Sequence, residues 1–193
     1  MQQTTHSPEN SVSPQQTEKL VLKRGLFVGL ILVMIDLFIT ILARLTSFPV
    51  RVMTSLMNVI YFPWSMVPII TNAAIYLPLL LFACLAYFLT GTGMARLSGG
   101  NVRAASLTGL LAGLVLGLCD LLISTVILFA ETLPAINQSY PPSILEETRF
   151  NAIRDTFFYT FSLLVLALLL GAGIAALGGL LGKRSSNAKR TQV

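Results

Sequence analysis

Four apolar runs limit what this chain can fold into: about Gly25–Ala43, Val67–Leu89, Ala104–Ala130 and Thr156–Leu181. Each approaches or exceeds the roughly 20 residues that an α-helix needs to cross about 30 Å of hydrocarbon. In lipid, backbone N–H and C=O groups must be paired within their own segment, which selects helices. No run alternates with the period of two that a membrane β-barrel requires. The expected fold is an all-α integral membrane protein, a four-transmembrane-helix bundle. Composition agrees, since 54% of the 193 residues are hydrophobic and only 11% are charged, against roughly 25% charged in soluble domains.

The rest of the chain divides around these runs. Residues 1–18 are rich in Gln, Ser, Thr and Pro and lack the apolar content to fold, so a disordered tail is expected. Residues 19–100 form a first two-helix half and residues 101–182 a second, followed by a basic tail over 183–193. Between the first two spans, residues 50–62 are too short to cross. With Tyr61, Phe62 and the nearby Trp64 they suit the membrane–water boundary, as an interfacial or re-entrant segment. Pro134, Pro141 and Pro142 are expected to break regular structure between Glu131 and Asp155.

The net charge of +5 calls for no nucleic-acid partner. Lys19, Lys23, Arg24, Arg96, Arg103, Lys183, Arg184, Lys189 and Arg190 all fall on one side of the four spans. Only Arg44, Arg51, Arg149 and Arg154 fall on the other. The positive-inside rule then places both termini in the cytoplasm, in a membrane of bacterial cytoplasmic type. The partners expected are the lipid bilayer and either further copies of the chain or other membrane subunits.

Enzyme chemistry has little to stand on. The one histidine, His6, lies in the polar tail, and Cys84 and Cys119 are single thiols within spans. No metal site, cofactor or Ser–His or Cys–His arrangement is therefore expected. "GGLLGKR" at Gly178–Arg184 lacks the Ser or Thr that a phosphate loop needs after its lysine.

The two halves resemble each other. Gly25 matches Gly109, Gly29 matches Gly113, Asp36 matches Asp120 and Thr40 matches Ser124, all at an offset of 84. "GTGMARLSG" from Gly91 also resembles "GAGIAALGG" from Gly171. The pattern points to a parallel internal duplication of a two-helix unit, related by an axis along the membrane normal. At helical spacing Gly25, Gly29, Val33, Asp36 and Thr40 share one face. Ala105, Gly109, Gly113, Gly117, Asp120 and Ser124 share another. Such small-residue stripes let helices approach closely in lipid. Gly91, Gly93, Gly171 and Gly173 are expected to act in the same way.

Asp36 and Asp120 are the residues most at odds with their surroundings. A rise of about 1.5 Å per residue puts Asp36 about 12 Å inside Arg44 and Asp120 about 16 Å inside Glu131. An aspartate at the centre of a membrane helix costs about 2.5–3.5 kcal/mol. Both therefore need hydrogen-bond donors or a bound proton. Tyr76, Tyr159, Thr160 and Ser162 lie at matching depth, Thr40 and Ser124 lie one turn away, and Arg44 and Arg154 could reach down from outside. The leading expectation is a structural or accessory component of a membrane assembly, its Asp pair fixing helix packing. The alternative is a proton- or cation-coupled transporter or channel subunit that uses Asp36 and Asp120.

Overall fold

The structure is a computed structural model that describes residues 13–46 and 67–190, with side chains placed except at 14, 43–44, 67–76, 78 and 184–190. The described residues are all-helical: α1 (Pro14–Leu45), α2 (Val67–Leu97), α3 (Val102–Ile127), a π-helical turn (Leu128–Thr132), α4 (Leu133–Ser139) and α5 (Pro142–Arg190). Four helices, with α3 counted through to Ser139, are long and apolar enough to cross a membrane. The interfacial segment expected at 50–62 and most of the expected tail lie outside the described residues.

Local chemistry sets the helix ends, and two differ from the sequence reading. The polar tail is shortened, because Ser13 caps α1 by accepting a hydrogen bond from the Gln16 N–H at 3.3 Å, with Pro14 in the first turn. The three prolines mark two boundaries instead of an irregular loop. Pro134 follows the π turn and opens α4, where a missing N–H costs little. The chain then turns at Tyr140–Pro141, and Pro142 starts α5. Between α2 and α3 the turn uses Gly99 (φ 66°) and Gly100 (φ 91°), a conformation that disfavours any side chain. Asn101 then caps α3.

The bundle is apolar outside and small-residue inside. Phe27, Met34, Leu81, Leu122, Phe158 and Leu169 are 63–76% exposed, whereas glycines and alanines fill the helix contacts. That arrangement suits a hydrocarbon surround, in which close backbone packing takes the place of a water-driven core.

α3 is the central helix, packed most extensively on α5 and then on α1, while α2 lies along α5 and barely meets α1. Glycines set the approach. A Cβ on Gly109 would strike the Gly171 carbonyl and stand 2.5 Å from the Ala175 Cβ; one on Gly113 would strike the Ala167 carbonyl. One on Gly117 would lie 2.9 Å from the Leu164 Cα. On α1, Gly25 and Gly29 lie against Leu111 and Val115 of α3, and on α2, Gly91 lies against the backbone of Ala175, itself one turn from Gly171.

Two expected packing glycines behave differently. Among the described residues Gly93 meets only the Arg24 side chain, and nothing lies within 4 Å of a Cβ on Gly173. The reason is rotational: two residues turn a helix by about 200°, so Gly173 points away from the contact that Gly171 makes. On α1 it is Leu32, fully buried, and not the half-buried Val33, that continues the inner face.

The sequence-matched stripes also meet different partners. That of α1 packs on α3, and that of α3 packs on α5. A twofold between the halves would make these contacts reciprocal, which they are not.

Most hydroxyls bond back to their own helix, as Thr108 does to the Ala104 carbonyl at 2.7 Å. Ser106 crosses from α3 to donate to the Ala172 carbonyl of α5 at 3.2 Å. Interhelical bonds of this kind average about 0.6 kcal/mol. Ser106→Ala is accordingly expected to lower stability by about that amount in a detergent-unfolding titration.

Candidate functional site

Asp36 lies one turn beyond Leu32 on the inner face of α1 and is 4% exposed. Asp120 lies three residues beyond Gly117 on α3. The two helices run parallel along their glycine contacts, which brings the carboxylates within electrostatic reach of each other. Both line one cavity of about 250 Å³. Ala83 and Tyr87 of α2 and Leu163 and Leu170 of α5 complete much of its wall.

Asp36, Asp120 and Tyr87, with the weakly polar Cys84 thiol, interrupt an otherwise apolar lining. Asp36 is nearly sealed from the surface. The Asp120 Oδ2 is buried with no hydrogen-bond partner among the described residues, and so is the Tyr87 hydroxyl. Tyr87 is 1% exposed. Buried polar atoms are nearly always partnered, so two orphans on one cavity require an explanation.

Few of the donors expected from sequence reach the aspartates. Thr160 is buried but donates to the Thr156 carbonyl of its own helix at 2.8 Å. Ser162 likewise donates to the Phe158 carbonyl at 2.7 Å. Thr40 and Ser124 are half-buried on the aspartate helices. Tyr159 lies within electrostatic reach of Asp120 but is about half exposed. Arg154 does not reach down, since its guanidinium holds the neighbouring Asp155 at 2.8 Å on the surface. The side chains of Tyr76 and Arg44 lie outside those described.

Tyr87 was not singled out in the sequence, although a signal existed. Leu79, Ala83, Tyr87, Gly91 and Ala95 recur every four residues on the inner face of α2, and all five are buried. A tyrosine within a small-residue stripe is a polar group aimed at a helix contact.

Toward the basic end the cavity wall continues into a packed layer that shares Ala83 and Tyr87 with it. Leu32, Ala83, Tyr87 and Ala112 form one buried layer, flanked by Ile174. Met94, Ala104 and Ala105 form a second layer nearer the basic end. At that end Arg24 lies beside Gly93 and Lys183 beside Gly100. The site is thus a small, mainly apolar cavity that holds two carboxylates and a phenol, backed by apolar layers on the basic side. No family model matches the chain, and neither does any curated protein or solved structure.

Among the described residues no group of three or more His, Cys, Asp or Glu side chains could hold a metal ion. The cavity instead offers two carboxylates and a phenol in an environment that strengthens any charge interaction.

Proposed function

We propose that the chain is a small four-span integral membrane protein, without enzymatic activity, that binds a proton or small cation at the Asp36–Asp120 pair. It would serve as a subunit of a transporter or channel, with further copies or other membrane subunits, since four helices enclose little volume. Both termini would lie in the cytoplasm. One observation carries this reading: two carboxylates from α1 and α3 face a common cavity, and the Asp120 Oδ2 there has no partner. Ionisable groups inside a membrane bundle that line a cavity are typical of ion and substrate pathways.

The structural alternative, a clamp between helices, draws on the tight Gly25 and Gly29 contacts beside Asp36. A clamp, however, is made of hydrogen bonds across the contact, and the Asp120 Oδ2 makes none among the described residues. The matched glycine and aspartate positions support descent from a duplicated two-helix unit whose halves have since taken different packing partners.

The test is flux into proteoliposomes containing the purified protein. Asp36→Asn and Asp120→Asn keep the side-chain shape and remove the charge. Each is expected to lower proton or monovalent-cation flux about tenfold or more, with helicity and elution volume unchanged. Unchanged flux in both variants would reject the reading.

A further inference from the structure

We propose that the cavity formed by Asp36, Asp120 and Tyr87 takes a primary ammonium carried on an apolar body, an amphiphilic amine, in preference to a bare inorganic cation. The assignment rests on the reading of the pair as a cation site and names the chemistry of the ligand.

Calcium needs six to eight oxygens and magnesium a near-octahedral set. The cavity wall offers two carboxylates, one phenol and the single Cys84 thiol, and the remainder is leucine, with alanine and glycine. An inorganic cation would have to keep several waters, and such a wall gives those waters almost nothing to bond. A primary ammonium has the opposite needs. It carries three N–H donors, matched here by three acceptor groups, and its hydrocarbon portion suits the leucine wall. Pockets for small organic molecules commonly have this composition, mostly apolar with a few placed polar groups. If the acid pair retains one proton, one ammonium leaves the occupied site neutral.

Tyr87 supports the assignment independently of the acids. Tyr87 lines the same cavity, and its hydroxyl is buried and lacks a partner among the described residues. A ligand N–H would supply one. The ring face also attracts cations.

The ammonium could come from a free amine or from an aminolipid headgroup. Both sources share the chemistry, and the test separates them. The full-length protein in phosphatidylcholine nanodiscs is titrated calorimetrically with hexylammonium, with 1-hexanol as the uncharged analogue, and with potassium and sodium. Saturable hexylammonium binding is expected, with none for 1-hexanol. Asp36→Asn and Asp120→Asn should weaken it about tenfold or more. Tyr87→Phe keeps the ring and its packing and should weaken binding several-fold. Ala83→Leu fills the apolar wall and should weaken hexylammonium binding while leaving both acids in place. Loss of hexylammonium binding in nanodiscs containing phosphatidylethanolamine would assign the source to the lipid, and retained binding would assign it to a free amine.

Absent hexylammonium binding, combined with aspartate-dependent flux of protons, potassium or sodium, overturns the amine assignment and leaves the cation site standing. Absence of both overturns the two readings together.

Discussion

Asp120→Leu is expected to stabilise the folded protein by about 2–3 kcal/mol, read as a higher midpoint when the purified protein is titrated with SDS. The magnitude follows from the insertion penalty of an aspartate at a membrane-helix centre, about 2.5–3.5 kcal/mol. Part of that penalty would ordinarily be offset by hydrogen bonds, but the buried Oδ2 has no partner to lose among the described residues. Leucine is larger than aspartate, and the adjoining cavity of about 250 Å³ gives it room without repacking. The result separates the two readings sharply. A packing clamp would lose stability when cut. A binding group held in an unfavourable environment gains stability and loses function, the usual trade between the two. Asp36→Leu should act in the same direction. A drop of similar size in both variants would return the aspartates to a structural role.

The second large effect concerns the helix crossing of α3 and α5. Gly109→Ala should destabilise the protein by about 1–3 kcal/mol, the usual cost of overpacking. A Cβ there meets the Gly171 carbonyl and stands 2.8 Å from the Gly171 carbonyl carbon, which is backbone and cannot swing aside. Intrinsic helix propensity works against this loss, since alanine is favoured over glycine by about 1 kcal/mol. Gly173→Ala isolates that gain, because among the described residues nothing lies within 4 Å of the new methyl. It should be neutral or slightly stabilising. The two variants can be compared in the same SDS titration. Equal effects at the two positions would mean that α3 and α5 do not meet as described.

Much of the architecture is legible in the residues. Four apolar runs give four helices, each long and apolar enough to cross a membrane. The small-residue stripes mark the contact faces because only glycine and alanine allow backbones so close. Asp36 and Asp120 are visible as charges in apolar surroundings. Other features escape the sequence for physical reasons. Hydropathy registers only the part of a helix suited to lipid, so it misses the first turn that Ser13 caps at the start of α1. Proline reads as a breaker, yet Pro134 and Pro142 sit in the first turns of helices, where the missing N–H costs little. A stripe also names a contact face without naming the partner. Nothing in Gly25/Gly29 and Gly109/Gly113 says that the first packs on α3 and the second on α5. Tyr87 was hidden by its type, because a tyrosine in an apolar run resembles an ordinary membrane aromatic until its position in the stripe is noticed.

The length of α5 has a mechanical consequence. Its 49 residues extend for about 73 Å, with no proline after Pro142 to bend them. Leu163 and Leu170, which wall the cavity, sit near the middle of this beam, and Lys183 sits near one end. The start of the helix, with α4 beside it, forms the other end. The wall residues that face Asp36 and Asp120 therefore share one unbroken helical element with the basic end.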